Sequence, residues 1–282
     1  MGDDAAREEL VFVKLGGSLI TDKARPWTAR EDVIDRLARE LAEARAARPK
    51  LRLLLGHGSG SFGHVVGRRY GIRDGVRDAA GWRGFAETAA AAARLNRVVT
   101  DLMLAAGVPV WSLQPSVTAR CRDGRLVALE WEVIDQALSV GLVPLIYGDV
   151  ALDAVRGGTI VSTEELFEFL APRLRPRRII LVGEVEGVFT GDPAIDPTAR
   201  LIPVLTPQTV TEAELTVAGA RGVDVTGGMA AKVTTMMALV RRMPELEVHI
   251  IGGQVPGRLV QVLLDPAYPT GTRLQGEGGA FG

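Results

Sequence analysis

The chain has 282 residues, 47% of them hydrophobic and 24% charged, enough apolar material for one large domain or two small ones. A net charge of −1 excludes the global basic field that nucleic-acid binding uses, and a single cysteine, Cys121, excludes an internal disulfide and a cysteine metal site. The first residues, MGDDAAREEL, are acidic and polar with no apolar signal segment, and no run approaches the ~18 apolar residues of a membrane helix, so a cytoplasmic protein without a membrane partner is expected.

Short apolar runs at 10–15 (LVFVKL), 51–55 (LRLLL), 108–113 (VPVWSL), 142–147 (LVPLIY), 178–182 (RIILV) and 248–251 (VHII) have the length and composition of buried strands. Helical patterns fall between them. After the first strand, Val33, Ile34, Leu37 and Leu41 form one apolar stripe, with Thr28 and Glu31 at capping-box spacing and Pro49 as the stop. A second helix is expected from about Gly84 to Ala106, ended by Gly107. Ser162 and Glu165 cap a third, which carries Leu166, Phe169 and Leu170. Pro207 suits the first position of a fourth, and Met229, Val233, Met236, Met237 and Val240 share one face of a fifth. The alternation predicts an α/β fold with helices layered on a mostly parallel sheet. The Pro-, Asp- and Thr-rich stretch 190–207 is the expected boundary between two lobes.

Ligands of open parallel sheets gather at the carboxyl ends of the strands. There the chain reads KLGGS, HGSGSFGH, QPS, GDV, GEVEGVFTGDP and GGQ, strand by strand. The P-loop pattern is absent, but two other glycine-rich loops, GGS (16–18) and GSGSFG (58–63), can present backbone N–H groups to phosphate. The second loop also satisfies G-x-G-x-x-G, with Asp74 and Asp78 standing 14 and 18 residues after Gly60, loosely where a dinucleotide fold places its ribose-binding acid. Against that reading, the first βα unit carries Lys14 instead of the fingerprint, and glycines after Phe62 are expected to interrupt the crossover helix.

Only four of the 33 basic residues are lysine. Lys50 sits beside a helix stop. Lys14 closes the first strand, Lys23 lies in the loop after it, and Lys232 falls in the second turn of the last helix. Compact ammonium groups at such positions suit phosphoryl transfer, which needs positive charge on the spreading oxygens and aligned reactants.

KLGGS, HGSGSFGH, GDV, VSTEEL, EVEGVFTGDP and DVTGGMAAK stand in the order and spacing of the amino acid kinase superfamily. Within it the chain most resembles the isopentenyl phosphate kinases, from residue 10 to about 264. The resemblance implies an αβα sandwich with a mostly parallel central sheet, usually homodimeric, with an acceptor lobe over about 1–175 and an ATP lobe over 176–282. It implies ATP- and Mg²⁺-dependent phosphorylation of isopentenyl phosphate to the diphosphate. On this resemblance Lys14, Gly16, Gly17 and Ser18 meet the ATP phosphates, and Lys23 lies near the transferring group. Gly58, Ser59 and Gly60 hold acceptor and γ-phosphate, His64 hydrogen-bonds the acceptor phosphate, Gly63, Asp149 and Thr163 also belong to the acceptor site, and Asp149 and the Glu164 region organise the lysines. Glu184, Thr190, Gly228, Met229 and Lys232 meet the nucleotide.

Three departures from the family pattern stand out. Ser59 replaces the third glycine of H-G-G-G, Gly183-Glu184-Val185-Glu186 replaces T-D-V-D, and Ser162-Thr163-Glu164-Glu165 replaces the S-[GT]-D-D acids. Each Asp→Glu exchange adds a methylene, which leaves the magnesium ligand unassigned. Fosfomycin kinases share the FGH and T-G-x-M-x-x-K elements and are the alternative; a non-catalytic nucleotide-binding regulator is a third reading. His57 and His249 read as structural, the methionine face as core, and Trp82, Phe85 and the alanines at 89–93 as either a pocket wall or ordinary helix packing.

Overall fold

The computed structural model describes residues 9–193, 195–210 and 228–276, with His64, Val65, Arg68 and Gly228 described by their backbone alone. All six expected strands form: β1 (Leu10–Leu15), β2 (Arg52–His57), β3 (Val110–Ser112), β6 (Val143–Tyr147), β9 (Arg178–Gly183) and β11 (Glu247–Gly252). With β10 (Val204–Leu205) and β12 (Thr272–Leu274) they make one eight-stranded sheet in the order β10-β12-β11-β9-β1-β2-β6-β3. Only the β11–β12 pairing is antiparallel. A smaller sheet, not expected from the sequence, joins β5 (Arg125–Ala128), β4 (Arg120–Arg122), β7 (Asp149–Asp153) and β8 (Gly157–Val161) in that order.

The register explains why one edge collects the motifs. Lys14 pairs with Gly56 on one side and Leu181 on the other, Leu15 with His57 and Val182, and His57 with Tyr147. The carboxyl ends of β1, β2, β6 and β9 therefore finish side by side, and each following loop emerges at the same edge.

Both faces of the sheet are covered, as a central parallel strand requires. Val11, Val13 and Leu15 belong to a core with Ile34 and Leu37 of α2 (Glu31–Ala47) and Leu95 and Val99 of α4 (Ala79–Ala105). Leu10 and Phe12 alternate to the opposite core, with Leu166 and Phe167 of α6 (Thr163–Leu174) and Met236 and Met237 of α7 (Gly228–Arg242). The Phe12 and Phe167 rings lie 5.0 Å apart, and burying one such side chain stabilises the fold by roughly 1.5–3 kcal/mol. The remaining helices are α1 (Gly17–Ile20), α3 (Gly60–Tyr70), α5 (Glu132–Ser139) and α8 (Arg258–Leu264). Among the described residues no helix is long and apolar enough to cross a membrane.

Three local expectations are corrected. The Thr28–Glu31 capping box does not form: α2 starts after Arg30 without a side-chain cap, and the Thr28 hydroxyl donates to the Pro26 carbonyl. The second long helix starts at Ala79 rather than Gly84, capped by Asp78, whose carboxylate accepts from Gly81 N at 2.7 Å. The glycines after Phe62 do interrupt the crossover at Gly71 (φ +60) and Gly75 (φ +126), between α3 and α4, but Gly63 and Gly67 do not break α3. They are close-approach positions inside it: a Cβ at Gly67 would meet Ile160 Cδ1 at 2.9 Å, and one at Gly63 would collide with the Ser59 side chain. By contrast, the Ser162–Glu165 capping box is present in both directions. Residues 207–210 are helical, and the rest of the expected fourth helix falls outside the described residues.

Candidate active site

The two glycine-rich loops interlock. Gly16 donates to Val182 O at 2.7 Å, which fixes the turn at the end of β1. A Cβ on Gly17 would run into the backbone of Gly60, 2.7 Å from its Cα, and a Cβ on Gly58 would lie 2.9 Å from Gly17 N. Gly60 has φ +47, and a Cβ there would strike the Thr21 hydroxyl. Glycine is thus demanded by backbone meeting backbone, and at Gly60 also by the left-handed conformation. Thr21 ties the loops together: its hydroxyl donates to Gly17 O (2.7 Å) and accepts from Ser61 N (3.0 Å). Ser59, the departure from the family loop, does not occupy the left-handed region; its side chain fills the space that Gly63 leaves open. Beyond the loops, the N-terminus of α3 adds the partial positive charge of a helix start.

The lysines converge beneath these loops. Lys14, penultimate in β1, is 7% exposed and forms an ion pair with Glu164 in the first turn of α6. Burial alone would push the Glu164 carboxyl up, but the Lys14 charge and hydrogen bond, with Lys232 behind them, hold it below the usual carboxylate range. Glu164 is therefore an anion that fixes Lys14. Lys232, in the second turn of α7, has its ammonium pKa lowered by burial first and then by the charge of Lys14, with Glu164 opposing and Lys23 adding. Lys23 reaches Glu184 at 2.5 Å, and Arg30 approaches the same carboxylate at 3.8 Å. Three ammonium groups against two carboxylates leave a positive surplus, which suits a polyanionic ligand.

His57 is fully buried; its ring nitrogens lie 3.1 Å from Gly58 O and 3.2 Å from Asn96 Oδ1, and its ring stacks on Tyr147 at 5.4 Å. Burial pushes its pKa down to about 4, so it is neutral at pH 7 and supports the loop that follows it. The Thr163 hydroxyl donates to the His57 carbonyl at 2.7 Å, and Thr163 is itself buried. His64 lies in the first turns of α3, and its side chain is outside the described residues. Asp149 is buried and accepts from Ser116 N (3.2 Å) and Val150 N (2.8 Å). Burial raises its pKa against those hydrogen bonds, and these bonds tie it to the turn after β3.

Of the other expected nucleotide contacts, Ser18 is half-buried in α1 and Gly228 opens α7. Met229 is half-buried and packs against the second core, while Thr190 is exposed, its hydroxyl accepting from Arg200 N at 3.0 Å. Trp82 and Phe85 meet edge-on at 5.4 Å, and Phe85 packs with Tyr70, Ala89 and Ile160 against Ile72, Val76 and Val150. This apolar wall lies where α3, α4 and β8 meet. Among the described residues no group of three His, Cys, Asp or Glu side chains could hold a metal ion.

Thr21, Arg30 and Asn96 escaped the sequence reading. Thr21 sits three residues beyond GGS without a pattern of its own, Arg30 resembles 28 other arginines, and Asn96 acquires its partner, His57, only through the fold.

Comparison with known proteins agrees with this geometry. The model of the amino acid kinase family matches residues 9–252. The isopentenyl phosphate kinase of Methanothermobacter thermautotrophicus is 35% identical over 276 residues, covering 95% of this chain and 100% of that protein. The isopentenyl phosphate kinase of Haloferax volcanii is also 35% identical, over 89% of this chain and 98% of its own. A solved isopentenyl phosphate kinase structure superposes with a TM-score of 0.80 at 33% identity, over 94% of this chain and 100% of that one. A parallel sheet with interlocked glycine loops at its carboxyl edge, a buried Lys14–Glu164 pair beneath them, and these full-length likenesses lead to one conclusion: the chain belongs to the amino acid kinase family.

Proposed function

We propose that the protein transfers the γ-phosphoryl group of ATP to isopentenyl phosphate, forming isopentenyl diphosphate and ADP. The observation that carries this reading is the convergence of Lys14, Lys23 and Lys232 on Glu164 and Glu184 beside two interlocked glycine loops. The full-length likeness to isopentenyl phosphate kinases supports the acceptor.

An oxygen of the acceptor phosphate attacks the γ-phosphorus as the bond to the β–γ bridging oxygen breaks, and ADP leaves. A phosphate monoester has a second pKa of about 6, so the attacking oxygen is already ionised at neutral pH and needs no strong general base. That fits a centre whose two buried carboxylates are both engaged, Glu164 by Lys14 and Asp149 by the Ser116 and Val150 amides. Lys14 and Lys232 stabilise charge on the transferring group and its leaving partner, and the amides of Gly17, Gly58, Ser59 and Gly60 position phosphates. His64 donates to the acceptor phosphate, and the Trp82–Phe85 wall faces the isoprenoid chain. A magnesium ion would enter this site with the nucleotide, since among the described residues no group of three side chains could cage it. When bound it neutralises phosphate charge. Residues to about 175 form the acceptor lobe and those from 176 the ATP lobe, with Glu184, Thr190, Gly228 and Met229 toward the nucleotide, and the protein works as a homodimer.

The test is ADP release from ATP·Mg²⁺ with isopentenyl phosphate, dimethylallyl phosphate, geranyl phosphate and fosfomycin as acceptors. Isopentenyl phosphate should give the highest kcat/KM, by at least about tenfold over fosfomycin. Preference for the phosphonate would overturn the acceptor assignment.

A further inference from the structure

Trp27 is out of keeping with its surroundings. It follows Pro26 with φ +59, a conformation in which glycine or asparagine is relaxed and a bulky side chain is strained. It is also 41% exposed, so it is not held there by burial in a core. Strain of this kind persists only where the surroundings over-determine it, and it concentrates at functional sites.

The surroundings are specific. The Trp27 ring meets Phe62 edge-on at 6.0 Å, and the Arg94 guanidinium lies over its face at 5.6 Å. Phe62 belongs to the glycine loop itself, in the first turn of α3, and Arg94 to α4. Loop 22–28, in which Trp27 lies, is closed on itself. Asp22 N donates to Thr28 O at 2.9 Å, Thr21 bridges to Ala29, and the Asp22 carboxylate accepts from Ala24 N (2.8 Å) and Arg25 Nε (2.7 Å). A loop so closed moves as a unit, and Lys23 is part of it. Its ammonium, on a side chain that is 68% exposed, reaches Glu184 across the site.

We propose that Trp27 is a positioning residue for phosphoryl transfer: seated between Phe62 and Arg94, it anchors loop 22–28 and so holds the Lys23 ammonium at Glu184, beside the Lys14–Glu164–Lys232 group. The inference rests on the kinase reading above. It makes the aromatic seat, and not the closed loop alone, responsible for where the third ammonium stands. Trp27 touches no reacting atom in this scheme; it acts through Lys23.

The loop carries its own reporter. Trypsin can cut after Lys23, whereas the bond after Arg25 is protected by Pro26. Cutting at Lys23 tracks the population of the opened loop when opening is fast relative to cleavage. Trp27→Gly relieves the left-handed strain and removes the ring; Trp27→Phe keeps an aromatic ring. The expected result is that W27G is cut at Lys23 about tenfold faster and loses about tenfold in kcat, with KM values within about threefold, whereas W27F stays within about threefold of wild type in each. Arg94→Met, which removes one side of the seat without touching the backbone of the loop, should shift cutting and kcat the same way by about fivefold or more, and it keeps the test open should W27G fail to fold. Wild-type protection in both W27G and R94M, or faster cutting with unchanged kcat, would overturn the proposal. Absence of turnover in the wild type would instead sink the kinase reading, while the cutting rates would still report whether Trp27 anchors the loop.

Discussion

At the scale of single residues, the centre depends on a buried ion pair whose two members have unequal duties. On the proposed function Lys14 faces the ligand, and Glu164, paired with it, holds it there. Lys14→Met or Lys232→Met should therefore lower kcat by on the order of 10²-fold, the range expected when one oriented charge is removed from a phosphoryl-transfer site. Steady-state kinetics on variants with native circular dichroism checks this, and near-normal turnover would reduce the lysine to a bystander. The two histidines of HGSGSFGH separate by chemistry. If His64 donates to the acceptor phosphate, a bond worth about 1.5–3 kcal/mol, His64→Ala should lose roughly 10- to 150-fold in kcat/KM, and His64→Gln should keep part of it. An obligatory proton transfer would leave Gln as poor as Ala. His57, held neutral with a pKa of about 4 against 6.5 when unfolded, takes up its proton less readily in the native state. Its contribution to stability is fully present above pH 6.5 and is lost as pH falls from there toward 4, by up to about 3 kcal/mol. Denaturant titrations of wild type and His57→Gln should diverge in slope across that window; parallel curves would contradict the assignment. The lysines were legible in the sequence because lysine is scarce and three of the four stand at a strand end, in the loop after it or near a helix start. Thr21 and Asn96 were not, because their partners are 40 and 39 residues away and are brought to them by the fold.

At the scale of elements, the capping box at Ser162–Glu165 was readable because both of its hydrogen bonds are local. The same spacing at Thr28–Glu31 failed because residue 29 bridges to Thr21 and draws the chain into the closed loop, so the helix starts later. Gly63 and Gly67 do not act as helix breakers for a similar reason. Their effect is packing against Ser59 and Ile160, which a sequence window does not contain. The seven-residue α8, absent from the sequence reading, shows how a helix too short to persist alone is held. The buried Glu40 carboxylate accepts from Leu259 N (2.9 Å) and Val260 N (3.3 Å) at its start, while Arg178 and Arg48 donate to Val262 O and Leu263 O at its end. Glu40→Ala would strand two buried amides and the Arg36 partner, so a loss of about 3 kcal/mol is expected. Thermal melting should fall by about 5 °C or more, and an unchanged midpoint would show that α8 does not depend on its cap.

At the scale of the whole molecule, the parallel sheet was legible because β1, β2, β6 and β9 are continuous apolar runs, as strands covered on both faces must be. The small sheet was not: β4 and β5 are short and largely exposed, with no apolar alternation to betray them. What the assembled molecule offers is one edge where two glycine loops and three lysines meet, and on the proposed function this edge moves a phosphoryl group onto a phosphate. ADP release alone does not distinguish transfer from hydrolysis of ATP. The phosphorus NMR spectrum of a reaction containing the protein, ATP·Mg²⁺ and isopentenyl phosphate does. Phosphoryl transfer at this edge replaces the monophosphate resonance by the coupled pair of a diphosphate ester as ADP accumulates in equal amount; an unchanged monophosphate signal in the presence of folded protein and intact ATP, or inorganic phosphate as the sole new product, would rule that transfer out.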